Sequence, residues 1–118
     1  MAVKRITSNI KAIDLDKAKT FYTDFLGLDL VMDHGWIKTF ASLEITHPQI
    51  NIASDDGNTT DVPDFSIEVD NVVQLYETAR KFGFEIIYGL TKEEWGVERF
   101  YVKDPFGKVV NILQHVES

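Results

Sequence analysis

Four short runs between residues 94 and 112 decide the fold: EWG at 94–96, FYV at 100–102, DPFG at 104–107 and VNI at 110–112. DPFG has the pattern of a tight turn, because Pro presets φ at its second position and Gly stands at its fourth. The segments on either side, 97–103 and 108–115, alternate in polarity as half-buried strands do. The stretch therefore predicts two strands joined by a tight turn.

A strand–helix–strand pattern occurs twice in the chain. Asp14 and Asp70 each offer a capping side chain before a helical apolar face, and Gly27 and Gly83 each stand where a left-handed residue ends a helix. Both pairs are separated by 56 residues, which indicates an internal duplication. The first apolar face comprises Leu15, Ala18, Tyr22, Phe25 and Leu26, and the second comprises Val72, Leu75, Tyr76, Ala79 and Phe82.

Further extended segments complete each half. They lie at 28–33, 36–43 and 49–53 after the first helix, and at 84–88, 97–103 and 108–115 after the second. The prediction is an α+β fold of two βαβββ modules, with module one at 1–54 and module two at 62–118. The segment 55–61, rich in acids and turn formers, is predicted to link them.

Length and composition limit the function classes. A chain of 118 residues fits a single domain, and its net charge of -7 argues against a nucleic-acid partner. The acidity is compatible with a cationic ligand, or simply with solubility. There is no cysteine, no apolar run long enough for a membrane span and no signal-peptide pattern, so a cytoplasmic protein is expected.

The four runs at 94–112 resemble the C-terminal signature of the glyoxalase/bleomycin-resistance/dioxygenase superfamily, also called the vicinal-oxygen-chelate (VOC) fold. EWG, together with Gly35 and Trp36, is similar to the bleomycin-resistance proteins in particular. The resemblance implies a curled mixed sheet around a cavity, with the helices on its outer faces. It also implies a homodimer, whose modules pair within a chain or are exchanged between chains.

The metal-dependent members of that family take ligands from four strand positions. The resemblance places Thr7, Asn51, Asp64 and Asn111 there. Only Asp64 is a plausible hard ligand, and none of the four positions offers an imidazole to hold a transition metal. This donor set therefore predicts no metal, and we also expect no other cofactor and no catalytic residue.

Strand parity then predicts which side chains face the cavity. We expect Ile6 and Ile10 of the first strand to face the helices. The same is expected of Phe65, Ile67 and Val69 in the second half. The predicted ligand-binding residues are Asn9, Trp36, Asn51, Asp64, Glu68, Trp95, Arg99, Tyr101 and Asn111. Aromatic surfaces with a few directed polar groups are typical of small-molecule sites, although either tryptophan could instead fill the core.

Two functions remain open. The leading hypothesis is a protein that sequesters an amphipathic or cationic compound without catalysis, as in antibiotic resistance. The alternative is a metal-dependent glyoxalase- or dioxygenase-type enzyme with an altered site around Asp64, Glu68 and His115. His34 and His47 are expected at surface turns, whereas His115 shares the parity of Asn111 and could reach the cavity rim.

Overall fold

The computed structural model describes residues 2–46, 48–58 and 60–116, so the expectation for His47 lies outside the described residues. The strands are β1 Val3–Lys11, β2 Asp29–Asp33, β3 Ile37–Ala41, β4 Gln49–Ala53, β5 Phe65–Val69, β6 Ile86–Lys92, β7 Val97–Lys103 and β8 Val109–His115. The helical segments are a 3-10 turn Leu15–Lys17, a π-helix Lys19–Phe25 and helix α1 Val72–Lys81. The predicted α+β class is confirmed. Over the described ranges, no helix is long and apolar enough to span a membrane.

The chain divides into two compact units. The N-terminal unit is Thr7–Val62, and the C-terminal unit combines Pro63–Ser118 with Met1–Ile6. The strand order is β2-β3-β4-β1 in the first and β6-β7-β8-β5 in the second. In each, the strand that precedes the helical segment pairs in parallel with the last strand, and the other pairings are antiparallel.

Helix α1 covers the core of the C-terminal unit. Val72 and Ala79 of the helix pack with Phe100, Val110 and other buried residues of β5, β7 and β8. The capping residue of α1 is Asn71 and not the predicted Asp70, since the Asn71 side chain accepts the Gln74 N–H at 3.1 Å.

Two expectations for α1 are wrong. Asp70 does not cap the helix, because its Oδ1 accepts the Ala2 N–H at 2.8 Å instead. Phe82 is exposed rather than part of the apolar face, since it stands after the last helical turn as the C-cap.

The helical segment of the N-terminal unit is irregular. Leu15 and Ala18 pack against Phe40 and Ile52, as their spacing predicts. The N–H of Leu26 donates to the Phe21 carbonyl, five residues back. This wider winding changes which side chains return to the sheet, and the expectation that Phe25 and Leu26 belong to the packed face is wrong, since they are 72% and 52% exposed.

Strand β1 also departs from its expected packing. Ile6 and Ile10 are 65% and 41% exposed, whereas the intervening Thr7 is buried. The core under the short helical segment includes Ile50 and Ile52 of β4 but not Ile10. The segment is a strand, as its alternation predicts. The expectation that Ile6 and Ile10 are on its buried side is wrong.

Candidate functional site

Polar side chains line the sheet face of the C-terminal unit that points away from α1. The register places Ser66 of β5, Asn111 of β8 and Tyr101 of β7 side by side in one row. In the next row on the same face, Leu113 of β8 lies between Glu68 of β5 and Arg99 of β7. Ser66, Glu68, Arg99, Tyr101 and Asn111 are each exposed by 7% or less. Four residues predicted for the site therefore lie together on one buried face.

Arg99 is held by an acid and three aromatic rings. Its Nε donates to Glu93 Oε2 at 2.8 Å, and the Tyr88 hydroxyl donates to the same oxygen at 3.0 Å. The guanidinium carbon lies 5.0 Å from the Trp95 ring centre, 5.1 Å from Tyr101 and 5.3 Å from Tyr88. These are cation–π distances, so this Arg99 cluster fixes the charged group in one place.

Glu93 was missed by the sequence reasoning. It lies between β6 and β7, in the turn that also contains Trp95. Its position two residues before Trp95 was the available signal.

Glu68 forms a second cluster with residues of β1 and β8. Its Oε1 accepts from Arg5, with Nε at 2.8 Å and a further contact from Nη2, and its Oε2 lies 2.8 Å from His115 Nδ1. Lys4 Nζ lies 4.0 Å from the same Oε2. Burial by itself would raise the pKa of Glu68, but hydrogen bonds and charges from Arg5 and His115 outweigh it, so this pKa lies below its usual value.

The Glu68 contact also sets which nitrogen of His115 donates. An ionised carboxylate only accepts hydrogen bonds, so Nδ1 of His115 is the donor in this contact and Nε2 takes no part in it. The His115 side chain is 58% exposed while that of Glu68 is 7% exposed. Sequence reasoning placed His115 at the rim and grouped it with Glu68 in the alternative enzyme site, but it did not identify Arg5.

Asn111 has one hydrogen bond and one unpaired atom. Its Nδ2 donates to Ser66 Oγ at 3.0 Å. Its Oδ1 is buried and accepts no hydrogen bond from the described residues. An unpaired buried acceptor is uncommon in folded proteins, and each one calls for an explanation.

The N-terminal unit has a comparable network that is closed. Asn51 Oδ1 accepts from the Thr39 hydroxyl at 2.6 Å, and Asn51 Nδ2 donates to Asn9 Oδ1 at 2.7 Å. Beside them, Gln49 Nε2 donates to Thr7 Oγ1 at 2.7 Å. Asn9 and Asn51, both predicted for the site, are therefore brought together here.

Trp36 and Asp64 have other surroundings. Trp36 is half-buried just before β3, with its ring 6.1 Å from that of His34. Asp64 is exposed just before β5, where its Oδ2 accepts the Val109 N–H at 2.8 Å.

The family's metal ligand positions do not fit a metal ion in this chain. Both amide atoms of Asn51 are used within its unit, and Asn111 stands opposite Ser66 rather than Asp64. The donors are two amides, a hydroxyl and one carboxylate that is engaged with backbone, a weak set for a divalent metal. In the ranges that the structure covers, no group of three or more His, Asp or Glu side chains could hold a metal ion.

Comparison with known proteins identifies relatives at the level of family and fold. The family model described as Glyoxalase/Bleomycin resistance protein/Dioxygenase superfamily matches residues 7–112. No curated protein matches the chain. Solved structures do match the chain, but their sequence identities are so low that the matches show a shared fold and nothing more.

Three of these structures cover almost the whole chain. A glyoxalase/bleomycin resistance protein/dioxygenase superfamily member from Vibrio splendidus 12B01 has a TM-score of 0.69 and 16% identity, covering 96% of this chain and 99% of its own. A Streptomyces coelicolor methylmalonyl-CoA epimerase in complex with 2-nitronate-propionyl-CoA has a TM-score of 0.71 and 16% identity, with 99% of each chain covered. An NAD-dependent benzaldehyde dehydrogenase from Legionella pneumophila has a TM-score of 0.75 and 14% identity, covering 94% of this chain and 99% of its own.

Proposed function

Because this chain belongs to the Glyoxalase/Bleomycin resistance protein/Dioxygenase superfamily, we propose that it is a small-molecule-binding protein of the bleomycin-resistance-like branch. It sequesters an amphipathic compound without transforming it, and it acts as a cytoplasmic homodimer. Module one at 1–54 and module two at 62–118, joined by the linker 55–61, form its single domain. Sequestration of an antibiotic is the biological form of this activity.

The observation that carries the proposal is the buried polar and aromatic face of the C-terminal unit. Arg99 and Glu68 are each held by several partners, so their orientation is set before any ligand arrives. Side chains that are already ordered lose little entropy when a ligand binds. A rigid face with aromatic walls and a few directed polar atoms matches the usual design of a small-molecule site.

The charges on this face support an amphipathic ligand over a cationic one. Arg99 is paired with Glu93, and Glu68 is paired with Arg5. Each pair is neutral, and the aromatic rings that would attract a cationic ligand already surround Arg99. The ligand therefore binds through its rings and through neutral hydrogen-bonding groups.

Tryptophan fluorescence tests this proposal directly. The variant Trp36→Phe leaves Trp95 as the sole tryptophan, so its emission reports the Arg99 cluster. We expect saturable quenching by a bound amphiphile, with bleomycin and a panel of aromatic antibiotics as the first probes, and recovery of each probe unchanged by mass spectrometry. The reciprocal variant Trp95→Phe serves as the matched control and should show a smaller response.

Native mass spectrometry with elemental analysis completes the test. The expected result is a dimer without stoichiometric metal that gains one probe per site. A divalent metal at one per chain that is lost in Asp64→Ala, or a probe released in altered form, would overturn the proposal.

A second candidate is the enzyme with an altered site, and one observation favours it. His115 Nδ1 lies 2.8 Å from the buried Glu68 carboxylate, which leaves Nε2 of the exposed ring outside that contact. Such an oriented imidazole can accept a proton from a bound substrate. Turnover that is lost in His115→Gln, while probe binding is retained, would favour this enzyme over the binding protein.

A further inference from the structure

Asn111 and Asn51 occupy corresponding places in the two units. Each lies on the strand that pairs in parallel with the first strand of its unit, opposite Ser66 in one case and Asn9 in the other. Each Nδ2 donates to the side chain of that opposite residue, at 3.0 Å and 2.7 Å respectively. The two amides thus have the same local role up to this point.

The third strand makes the difference. Thr39 stands opposite Asn51 on β3 and donates to its Oδ1 at 2.6 Å. Tyr101 stands opposite Asn111 on β7, in the position that Thr39 has in the other unit. A tyrosine carries its hydroxyl at the far end of a ring, and Asn111 Oδ1 accepts no hydrogen bond from the part of the chain that is described.

We propose that Asn111 Oδ1 accepts a hydrogen bond from an O–H or N–H group of the bound molecule. This inference rests on the proposed function and names the chemistry of its ligand. Because Asn111 is only 7% exposed, that group is a small head group that projects from the ligand.

The surrounding charges assign the donor group to a neutral class. Glu68 and Arg99 lie one row away from Asn111, and each is balanced by its own partner. Among the described residues, the carboxylates on this face each have a cationic partner, so a cationic donor gains nothing over a neutral one beside Asn111. The ligand class is therefore an alcohol, a phenol or an amide joined to an apolar or aromatic body.

Matched pairs of small probes test this inference. Phenol and benzamide carry a donor group, whereas anisole and methyl benzoate have similar bodies without one. Binding is followed by NMR of the ¹⁵N-labelled protein, including the side-chain amide signals of Asn111 and Asn51. One additional hydrogen bond should make the donor probes about five- to tenfold tighter than their partners, with shifts concentrated at Asn111.

Three variants separate this role from a structural one. Asn111→Leu should abolish the preference for donor probes, whereas Asn111→Asp keeps an acceptor oxygen and should retain the preference. Asn71→Ala alters an exposed amide at the start of α1, outside the predicted site, and serves as the control that should leave the preference unchanged. If Asn111→Leu does not fold, the wild type alone still tests the inference, because a preference for donor probes without a shift of the Asn111 side-chain amide signals would overturn it.

The outcomes distinguish the inference from the function on which it rests. Equal affinities for phenol and anisole in the wild type, or a preference that persists in Asn111→Leu, would overturn the Asn111 role. So would a water that stays bound to Oδ1 in the complex with phenol. If these results accompany saturable binding of an amphiphile near Trp95, the binding function stands alone. If no molecule binds at all, both fail.

Discussion

The two units treat the polar residues of their sheets in different ways. In the N-terminal unit the network of Thr7, Asn9, Thr39, Gln49 and Asn51 is neutral, and Asn51 is satisfied on both sides by Thr39 and Asn9. In the C-terminal unit the corresponding face carries the ion pairs of Glu68 and Arg99, and Asn111 Oδ1 accepts no hydrogen bond from the described residues. One strand order thus supports a network whose central amide is fully paired and another whose central amide is only partly paired by the described residues.

This difference arises from single residues on equivalent strands. Thr39 and Tyr101 occupy matching positions, and only the short side chain donates to the neighbouring amide. Buried polar networks stabilise a fold when every member is paired, and they cost free energy when one is not. The C-terminal unit therefore gives up some stability at the place where a ligand could restore it.

The largest expected effect comes from removing the partner of Arg99. Glu93→Leu leaves a buried guanidinium without its carboxylate, which should lower the free energy of unfolding by about 3–5 kcal/mol. Urea denaturation measures the loss. The exposed pair of Lys11 and Asp61 in the N-terminal unit is the control, and Asp61→Asn should cost less than about 1 kcal/mol. Equal losses would show that the Arg99 cluster is not a buried ionic site.

The second prediction compares the two amides directly. Asn51→Leu removes two hydrogen bonds and strands the Thr39 hydroxyl, so it should cost about 2–4 kcal/mol. Asn111→Leu removes one hydrogen bond but also eliminates the unpaired oxygen, so it should cost about 1 kcal/mol or less. Denaturation of the two variants under the same conditions gives the difference. A larger loss for Asn111→Leu would remove the distinction between closed and open networks.

The third prediction concerns acid and the Glu68 cluster. The pKa of Glu68 is lower in the folded than in the unfolded chain, so its contribution to stability is complete above the unfolded value near 4.5 and is lost as pH falls through the folded value. Glu68→Gln should cost about 1–3 kcal/mol at pH 7, and this cost should shrink below about pH 4.5.

A pH series of thermal unfolding for wild type and Glu68→Gln measures this effect. Glu85→Gln, which alters an exposed acid 3.7 Å from Lys103, is the control and should follow the wild type closely at every pH. A difference between wild type and Glu68→Gln that does not change with pH would contradict the charged role of Glu68.

The smallest effect is expected at the helix starts. Asn71 caps the regular helix α1, and Asn71→Ala should lower the free energy of unfolding by about 1 kcal/mol. Asp14 caps only a short 3-10 turn in the other unit, so Asp14→Ala should cost less. Denaturation of both variants tests whether the regular helix depends more on its cap. A larger loss at Asp14 would place the more important helix start in the irregular segment.

Local patterns predicted many of the elements well. The strand at 97–103 and the strand at 49–53 agree with β7 and β4, because alternation and turn residues depend only on near neighbours. The prediction was poorer where winding changed within a helix, as at the π-helix, and at Ile6 and Ile10, whose burial depends on what covers them. The spacing of apolar residues along the chain predicts neither a change of helical winding nor which side of a strand is covered.

The candidate site was predicted as a set of residue types rather than as a set of contacts. Parity placed Glu68, Arg99, Tyr101 and Asn111 on one face, and the register agrees. Their partners were not predictable in the same way. Arg5 is 63 residues from Glu68 and His115 is 47, and such pairs are set by strand register, not by spacing along the chain.

The sequence by itself determined the family, the α+β class and the weak metal-binding chemistry of Thr7, Asn51, Asp64 and Asn111, because turns, alternation and donor types are written locally. Only the tertiary structure decided which hydrogen-bond partners these side chains have. Strand register brings Thr39 to Asn51 but Tyr101 to Asn111, and the length of one side chain then leaves a buried oxygen unpaired. That pairing depends on three strands meeting in space, which no single stretch of sequence specifies.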